Sequence, residues 1–132
     1  GHADVVLYAG SLIPEAILQF APAKAILHNS AHLTLEETTQ IMTKAVYNRK
    51  QVVRLHSGDL SLYSAIKEQM NILDQGKISC QVIPGISSFQ AASAALKTEL
   101  TIPNLSQTVI LTRASGKTKV PRHHGRVVIG DD

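Results

Sequence analysis

Tryptophan is absent from this chain, aromatic residues make up only 4% of it, and cysteine occurs once, at Cys80. A single thiol excludes a disulfide framework. Cys80 falls inside the strand-like run Ile78-Ser79-Cys80-Gln81-Val82-Ile83, where a buried and inert thiol is expected. Scarce aromatics leave little for stacking against nucleic-acid bases, which argues against a nucleic-acid partner. No apolar run approaches the roughly 20 residues that span a bilayer, and no basic residue leads an apolar secretory segment. The expectation is a soluble, cytoplasmic protein with no membrane partner. Also missing are a Gly-rich dinucleotide fingerprint, a Walker loop, a Cys/His metal pattern and a nucleophile elbow. No metal site and no catalytic residue is therefore assigned, and there is no internal repeat or low-complexity segment.

What is present suits a globular domain with a real core: 132 residues, 44% hydrophobic and 17% charged. The net charge of +3 is unevenly spread. Arg113, Lys117, Lys119, Arg122 and Arg126 lie together without an acid, and His123-His124 sit among them. Such a cluster suits a polycarboxylate or nucleic acid, or it is a solvated tail. The adjacent histidines read as a solvated pair rather than metal ligands.

Hydrophobic periodicity orders the elements. Asp4 to Tyr8 reads as a buried strand ended by Ala9-Gly10-Ser11, and Pro14 opens a short helix from Glu15 to Phe20. A strand from Ala25 to His28 follows. Thr34-Leu35-Glu36-Glu37 is a capping box, and its helix runs to about Tyr47, burying Leu35, Ile41, Met42, Ala45 and Val46. A strand at Val52 to Leu55, a helix from Leu60 to Leu73 stopped near Gly76, and a strand at Ile78 to Ile83 come next. A small-residue helix, Phe89 to Leu96, leads to strands at Gln107 to Thr112 and Arg126 to Ile129. Alternating strands and helices of this kind predict an α/β fold, an open, mainly parallel sheet with helices on both faces.

Two of these strands end in polar turns that contain glycine, Ser57-Gly58-Asp59 and Pro84-Gly85-Ile86-Ser87-Ser88. In open α/β sheets ligands bind beyond the carboxyl ends of the strands, where these turns lie. Gly58 lets a ligand approach the backbone, and Asp59 either caps the next helix or accepts hydrogen bonds from ribose hydroxyls or an ammonium group. His28, His32 and His56 read as polar lining or surface residues; Arg54, with Arg113 and Lys117, is a candidate for holding carboxylates of a substrate, with a surface or salt-bridge role the preferred reading of each. Residue types and spacing alone thus reach a small-molecule-binding α/β domain.

Four strings go further: Ala3-Asp4-Val5-Val6-Leu7-Tyr8-Ala9-Gly10-Ser11-Leu12, Val52 through Tyr63, Val82-Ile83-Pro84-Gly85-Ile86-Ser87-Ser88-Phe89 and Ser106-Gln107-Thr108-Val109-Ile110-Leu111-Thr112-Arg113. Together they resemble the tetrapyrrole methylases of corrin and porphyrin biosynthesis, within the branch that acts on C-11 of precorrin-4 or cobalt-precorrin-4. The resemblance implies S-adenosylmethionine as cofactor, with S-adenosylhomocysteine as product. It implies cofactor contacts from Ser57, Gly58, Asp59, Leu62, Ser87 and Ser88. Tyr8, Gly10, Ser11 and Arg113 are the implied substrate contacts, and the substrate is a tetrapyrrole. It further implies a methylase-like domain over 1–105 that lacks the family's first strand and Gly-rich loop, and an incomplete second domain over 106–132. Leu60 and Ser64 stand where the family carries Pro and Gly, which alters the cofactor turn. A homodimer is the expected assembly. The competing reading is a truncated, inactive binding or dimerisation module of the same fold, which pairs through uncovered apolar surface.

Overall fold

A computed structural model describes residues 2–112. Seven elements follow one another: β1 (Val5–Tyr8), α1 (Glu15–Leu18), β2 (Ile26–Asn29), α2 (Leu35–Tyr47), β3 (Val52–Leu55), α3 (Ile66–Gln75) and α4 (Ser88–Leu96). The chain divides into two compact units, Gly1–Leu96 and a second that begins at Lys97.

In the first unit the three strands form an open parallel sheet in the order β2-β1-β3. Val5 pairs in register with Ile26 on one side and Val52 on the other, and Tyr8 with Asn29 and Leu55. The middle strand is the apolar one, as its position requires: Val5, Val6 and Leu7 are all buried, and Leu7 has no exposed surface. Side chains alternate across a strand, so Val5 and Leu7 share one face. On that face they pack with Met42 of α2, Leu73 of α3 and Ile78, and Ile41, Ala45, Val46 and Val52 close around them. Of the face α2 was expected to bury, Met42 is buried and Ile41, Ala45 and Val46 pack around it, while Leu35 stays outside this cluster and Thr38 and Thr39 are buried instead.

α2 begins where its sequence says it should. The Thr34 hydroxyl accepts from the Glu37 amide at 3.1 Å, and the Glu37 carboxylate accepts from the Thr34 amide at 2.8 Å. The Thr34 amide first, and the Thr34 side chain second, hold the Glu37 carboxyl below its usual pKa.

α3 departs from expectation at its start and stops at Gly76 as expected. The helix was expected from Leu60, yet it starts at Ile66, because Ala65 is left-handed at φ 53° and Tyr63 at φ 56°. The Ser64 hydroxyl turns back to the Leu60 carbonyl, so 60–64 is a local turn and not a first helical turn. At the other end Gly76 keeps a negative φ, and Lys77, at φ 54°, takes the left-handed position that glycine usually fills.

Two expected strands carry no strand pairing, 78–83 and 107–112. Ile78 is buried in the core, but the rest of 78–83 is exposed, Cys80 included. The buried-thiol expectation fails for that reason: without neighbours on both sides the run covers nothing. In the second unit Ile102 and Ser106 form an isolated antiparallel bridge, with the Ile102 amide 2.7 Å from the Ser106 carbonyl. Arg113, the basic cluster that follows it, His123-His124 and the strand expected at Arg126 to Ile129 lie outside the described residues. Among the described residues no helix is long and apolar enough to cross a membrane, and no group of acids, histidines and cysteine is placed to hold a metal ion.

Candidate functional site: the crevice at the strand ends

Each strand of the sheet runs into a polar turn, and side chains tie those turns to one another. Just past β1, the Gly10 amide donates to Asn29 Oδ1 at 3.1 Å. The same oxygen accepts from the Ala31 amide at 2.9 Å, so one amide side chain holds the turn after β1 to the turn after β2. Ser30 adds a second tie: its amide and its hydroxyl both donate to the Tyr8 carbonyl, at 2.8 and 3.2 Å.

After β3 the device recurs with a charged group. Asp59 Oδ1 accepts from the Gly85 amide at 2.8 Å, while Oδ2 accepts from the Ser61 amide at 3.1 Å and from the Ser61 hydroxyl. The Ser61 hydroxyl, then the Gly85 amide, hold the Asp59 carboxyl below its ordinary value. Asp59 is thus a clamp between the turns at 57–61 and 84–87. It does not cap α3, whose first residue lies beyond Ala65 and receives no side-chain cap.

Backbone approach explains the two glycines. Gly58 sits at φ +68°, a left-handed conformation that glycine adopts without strain. Gly85 serves a different need: a Cβ there would stand 2.2 Å from the Gly58 carbonyl oxygen and 3.1 Å from its carbon. The two turns therefore touch backbone to backbone. Ser87 is buried beside Gly58, and its amide donates to Gln90 Oε1 at 2.9 Å.

These turns border a cavity of about 500 Å³ lined by β3, by α3 and by the run from Ile78 to Gly85. Gly58 and Gly85 line it together with Arg54, His56 and Leu60. Arg54 reaches across the end of β1, and its Nη1 donates to the Ser30 hydroxyl. Its Nε is buried without a partner, and so is His56 Nε2. Burial lowers the pKa of Arg54. Burial first, and the Arg54 charge second, hold the His56 imidazole below its ordinary value. The expected salt bridge of Arg54 is not formed with any acid among the described residues.

The structure thus gathers part of the expected set. Ser57, Gly58 and Asp59 lie on the turn at 57–61 with Leu62 just after it, Ser87 ends the turn that Asp59 holds and Ser88 opens α4; of these six, Gly58 alone lines the cavity. Tyr8, Gly10 and Ser11 lie at the end of β1, beside Asn29 and Ser30. Sequence reasoning passed over Asn29, Ser61 and Gln90, and it named Arg54 and His56 without foreseeing their unpartnered nitrogens. One signal for that pair was readable: two polar residues stand two apart at the end of an otherwise apolar run.

An open parallel α/β sheet whose strand ends carry touching glycine turns around a cavity defines a small-molecule-binding α/β domain. The match is more specific than that: residues 1–130 fit the family described as Tetrapyrrole (Corrin/Porphyrin) Methylases, and the chain belongs to it. It is 52% identical over 120 residues to a Cobalt-precorrin-4 C(11)-methyltransferase of Methanocaldococcus jannaschii, covering 91% of this chain and 46% of that protein. It is 46% identical to a Precorrin-4 C(11)-methyltransferase of Mycobacterium tuberculosis, covering 89% and 47%. Among solved structures it resembles an X-ray structure of a cobalamin biosynthetic enzyme, cobalt precorrin-4 methyltransferase. There the TM-score is 0.85 at 45% identity, over 90% of this chain and 50% of that one. A second methyltransferase structure, at 20% identity and a TM-score of 0.57, shares the fold. The chain spans about half the length of the curated relatives it matches.

Proposed function

We propose that this chain is part of an S-adenosylmethionine-dependent methyltransferase acting on C-11 of precorrin-4 or cobalt-precorrin-4, in cobalamin biosynthesis. The observation that carries the reading is identity of 45–52% to relatives named for that reaction, over nine-tenths of the chain. The crevice supports the reading: Gly58 and Gly85 line its cavity, and Arg54 and His56 of the same lining each keep one buried nitrogen without a partner.

In this reading Ser57, Gly58, Asp59, Leu62, Ser87 and Ser88 hold the cofactor, while Tyr8, Gly10, Ser11 and Arg113 face the tetrapyrrole. Bound S-adenosylmethionine supplies an electrophilic methyl group. The protein's part is placement, since an electron-rich ring carbon held in line needs no strong acid or base. Asp59 serves that placement by holding two turns at once. The proposed domain boundary lies between 105 and 106, whereas the compact units divide after Leu96. A cytoplasmic homodimer belongs to the same reading. Phe20, Leu12 and Ile26, 73%, 63% and 58% exposed, supply apolar surface for assembly.

Isothermal titration with S-adenosylhomocysteine tests the reading. Saturable binding is expected, weakened about tenfold by Asp59→Ala through loss of its charge-assisted hydrogen bonds. Absence of binding to the unmutated chain overturns cofactor binding by these residues and favours the inactive assembly module.

A further inference from the structure

We infer that Arg54 and His56 form an anion-recognition point in the crevice, built to take a carboxylate group of a bound ligand. The argument starts from what surrounds the guanidinium. It is half-buried, and burial of a cation costs free energy that an opposing charge normally returns. Here no carboxylate among the described residues returns it. One edge of the group is fixed: Nη1 is held by the Ser30 hydroxyl, which the Tyr8 carbonyl holds in turn. Nε is left with hydrogen-bonding capacity and no acceptor.

His56 completes the pair. It lies two residues on from Arg54, just past the end of β3, and lines the same cavity. Its Nε2 is likewise buried and unpartnered. Buried polar atoms in folded proteins are almost always paired, so two orphans in the lining of one cavity require an explanation. Both residues line the cavity that Gly58 and Gly85 border. An acceptor-only group with two oxygens satisfies one guanidinium N–H and one imidazole N–H together, and a carboxylate is such a group.

The source of the carboxylate is where this inference rests on the methyltransferase reading. Either the amino-acid end of the cofactor or an acidic side chain of the tetrapyrrole supplies it. A decisive measurement follows the His56 imidazole by NMR in the full chain labelled at histidine, at fixed pH and ionic strength. Sodium acetate, S-adenosylhomocysteine, methylthioadenosine and uroporphyrin are the probes, and His56→Gln identifies the signal. Saturable movement of the His56 signal with acetate is expected, with the affinity at least about tenfold weaker in Arg54→Gln. If the carboxylate comes from the cofactor, S-adenosylhomocysteine moves the signal and methylthioadenosine, which lacks that group, does not. If it comes from the substrate, uroporphyrin moves the signal and S-adenosylhomocysteine does not.

A His56 signal that none of the carboxylates moves overturns the inference. Should methylthioadenosine bind the chain in that same experiment, the cofactor reading survives while the anion point falls. Where Arg54→Gln fails to fold, Arg54→Lys keeps the charge but loses the fork. Retained binding there also overturns the paired geometry, and the titration of the unmutated chain stands on its own.

Discussion

Two turns at the crevice are tied by the same device with different chemistry. After β2, Asn29 holds the amides of Gly10 and Ala31 with a neutral oxygen. After β3, Asp59 holds the amides of Gly85 and Ser61 with a charged one. The glycines beside them differ in a parallel way. A Cβ on Gly10 would meet the end of the Asn29 side chain, 2.3 Å from Nδ2, and a side chain can swing aside. A Cβ on Gly85 would meet the Gly58 backbone, which cannot move without taking its turn along. A neutral tie against a yielding neighbour makes a local brace. A charged tie against backbone makes a junction on which the cavity wall depends.

The largest effect expected from breaking this contrast is Gly85→Ala. Overpacking of backbone on backbone destabilises by about 2–3 kcal/mol, measured by urea unfolding. A loss no larger than that of Gly10→Ala would erase the distinction. Next comes Asn29→Ala, which removes an acceptor for two exposed amides and costs about 1 kcal/mol in the same measurement. Gly10→Ala alone is expected to cost about 0.5 kcal/mol, because Asn29 can rotate away. Combined with Asn29→Ala it should cost less than the sum of the two single changes, since the clash is then already gone.

The smallest effect is in pH. The Asp59 carboxyl titrates below its ordinary value of 3.8 in the folded chain. A group with a depressed folded pKa adds stability above its unfolded value and loses it as pH falls through the folded one. Thermal unfolding should therefore show a contribution that disappears only below about pH 3.8. Asp59→Asn should remove that part of the acid slope, leaving the part from Glu37, whose carboxyl is also depressed. Asn29→Asp provides the reciprocal check, because it should introduce an acid slope at the neutral tie.

How much of this was legible in the sequence depended on whether the signal was local. The Thr34–Glu37 box and the apolar stripe of α2 are satisfied within a few residues, and both appear as read, Leu35 apart. β1 and β3 were readable because β-branched residues cluster in short runs bounded by polar turns. The start of α3 was not readable. The Leu60–Leu73 spacing looks helical, but the turn at 60–64 bonds to itself and to Asp59, as when the Leu62 amide donates to the Asp59 carbonyl at 3.3 Å. Ile78 to Ile83 has strand composition, yet strand formation needs a neighbour to pair with, and no pairing forms among the described residues.

For the site the division is sharper. The glycine turns and Asp59 could be named from residue type, because turns have strong local preferences. Their partners could not, since Gly85 lies 26 residues from Asp59, Ser30 lies 24 from Arg54, and Gly10 lies 19 from Asn29. By itself the sequence determined the family, the parallel α/β class, the capped α2 and the identity of the crevice turns, because each follows from short-range pattern. Only the tertiary structure decided that Asp59 is a clamp and not a cap, that Cys80 is exposed, and that Arg54 Nε and His56 Nε2 are left without partners in residues lining one cavity. Those outcomes depend on which distant backbone and side-chain groups arrive within hydrogen-bonding distance, and local pattern carries no information about that.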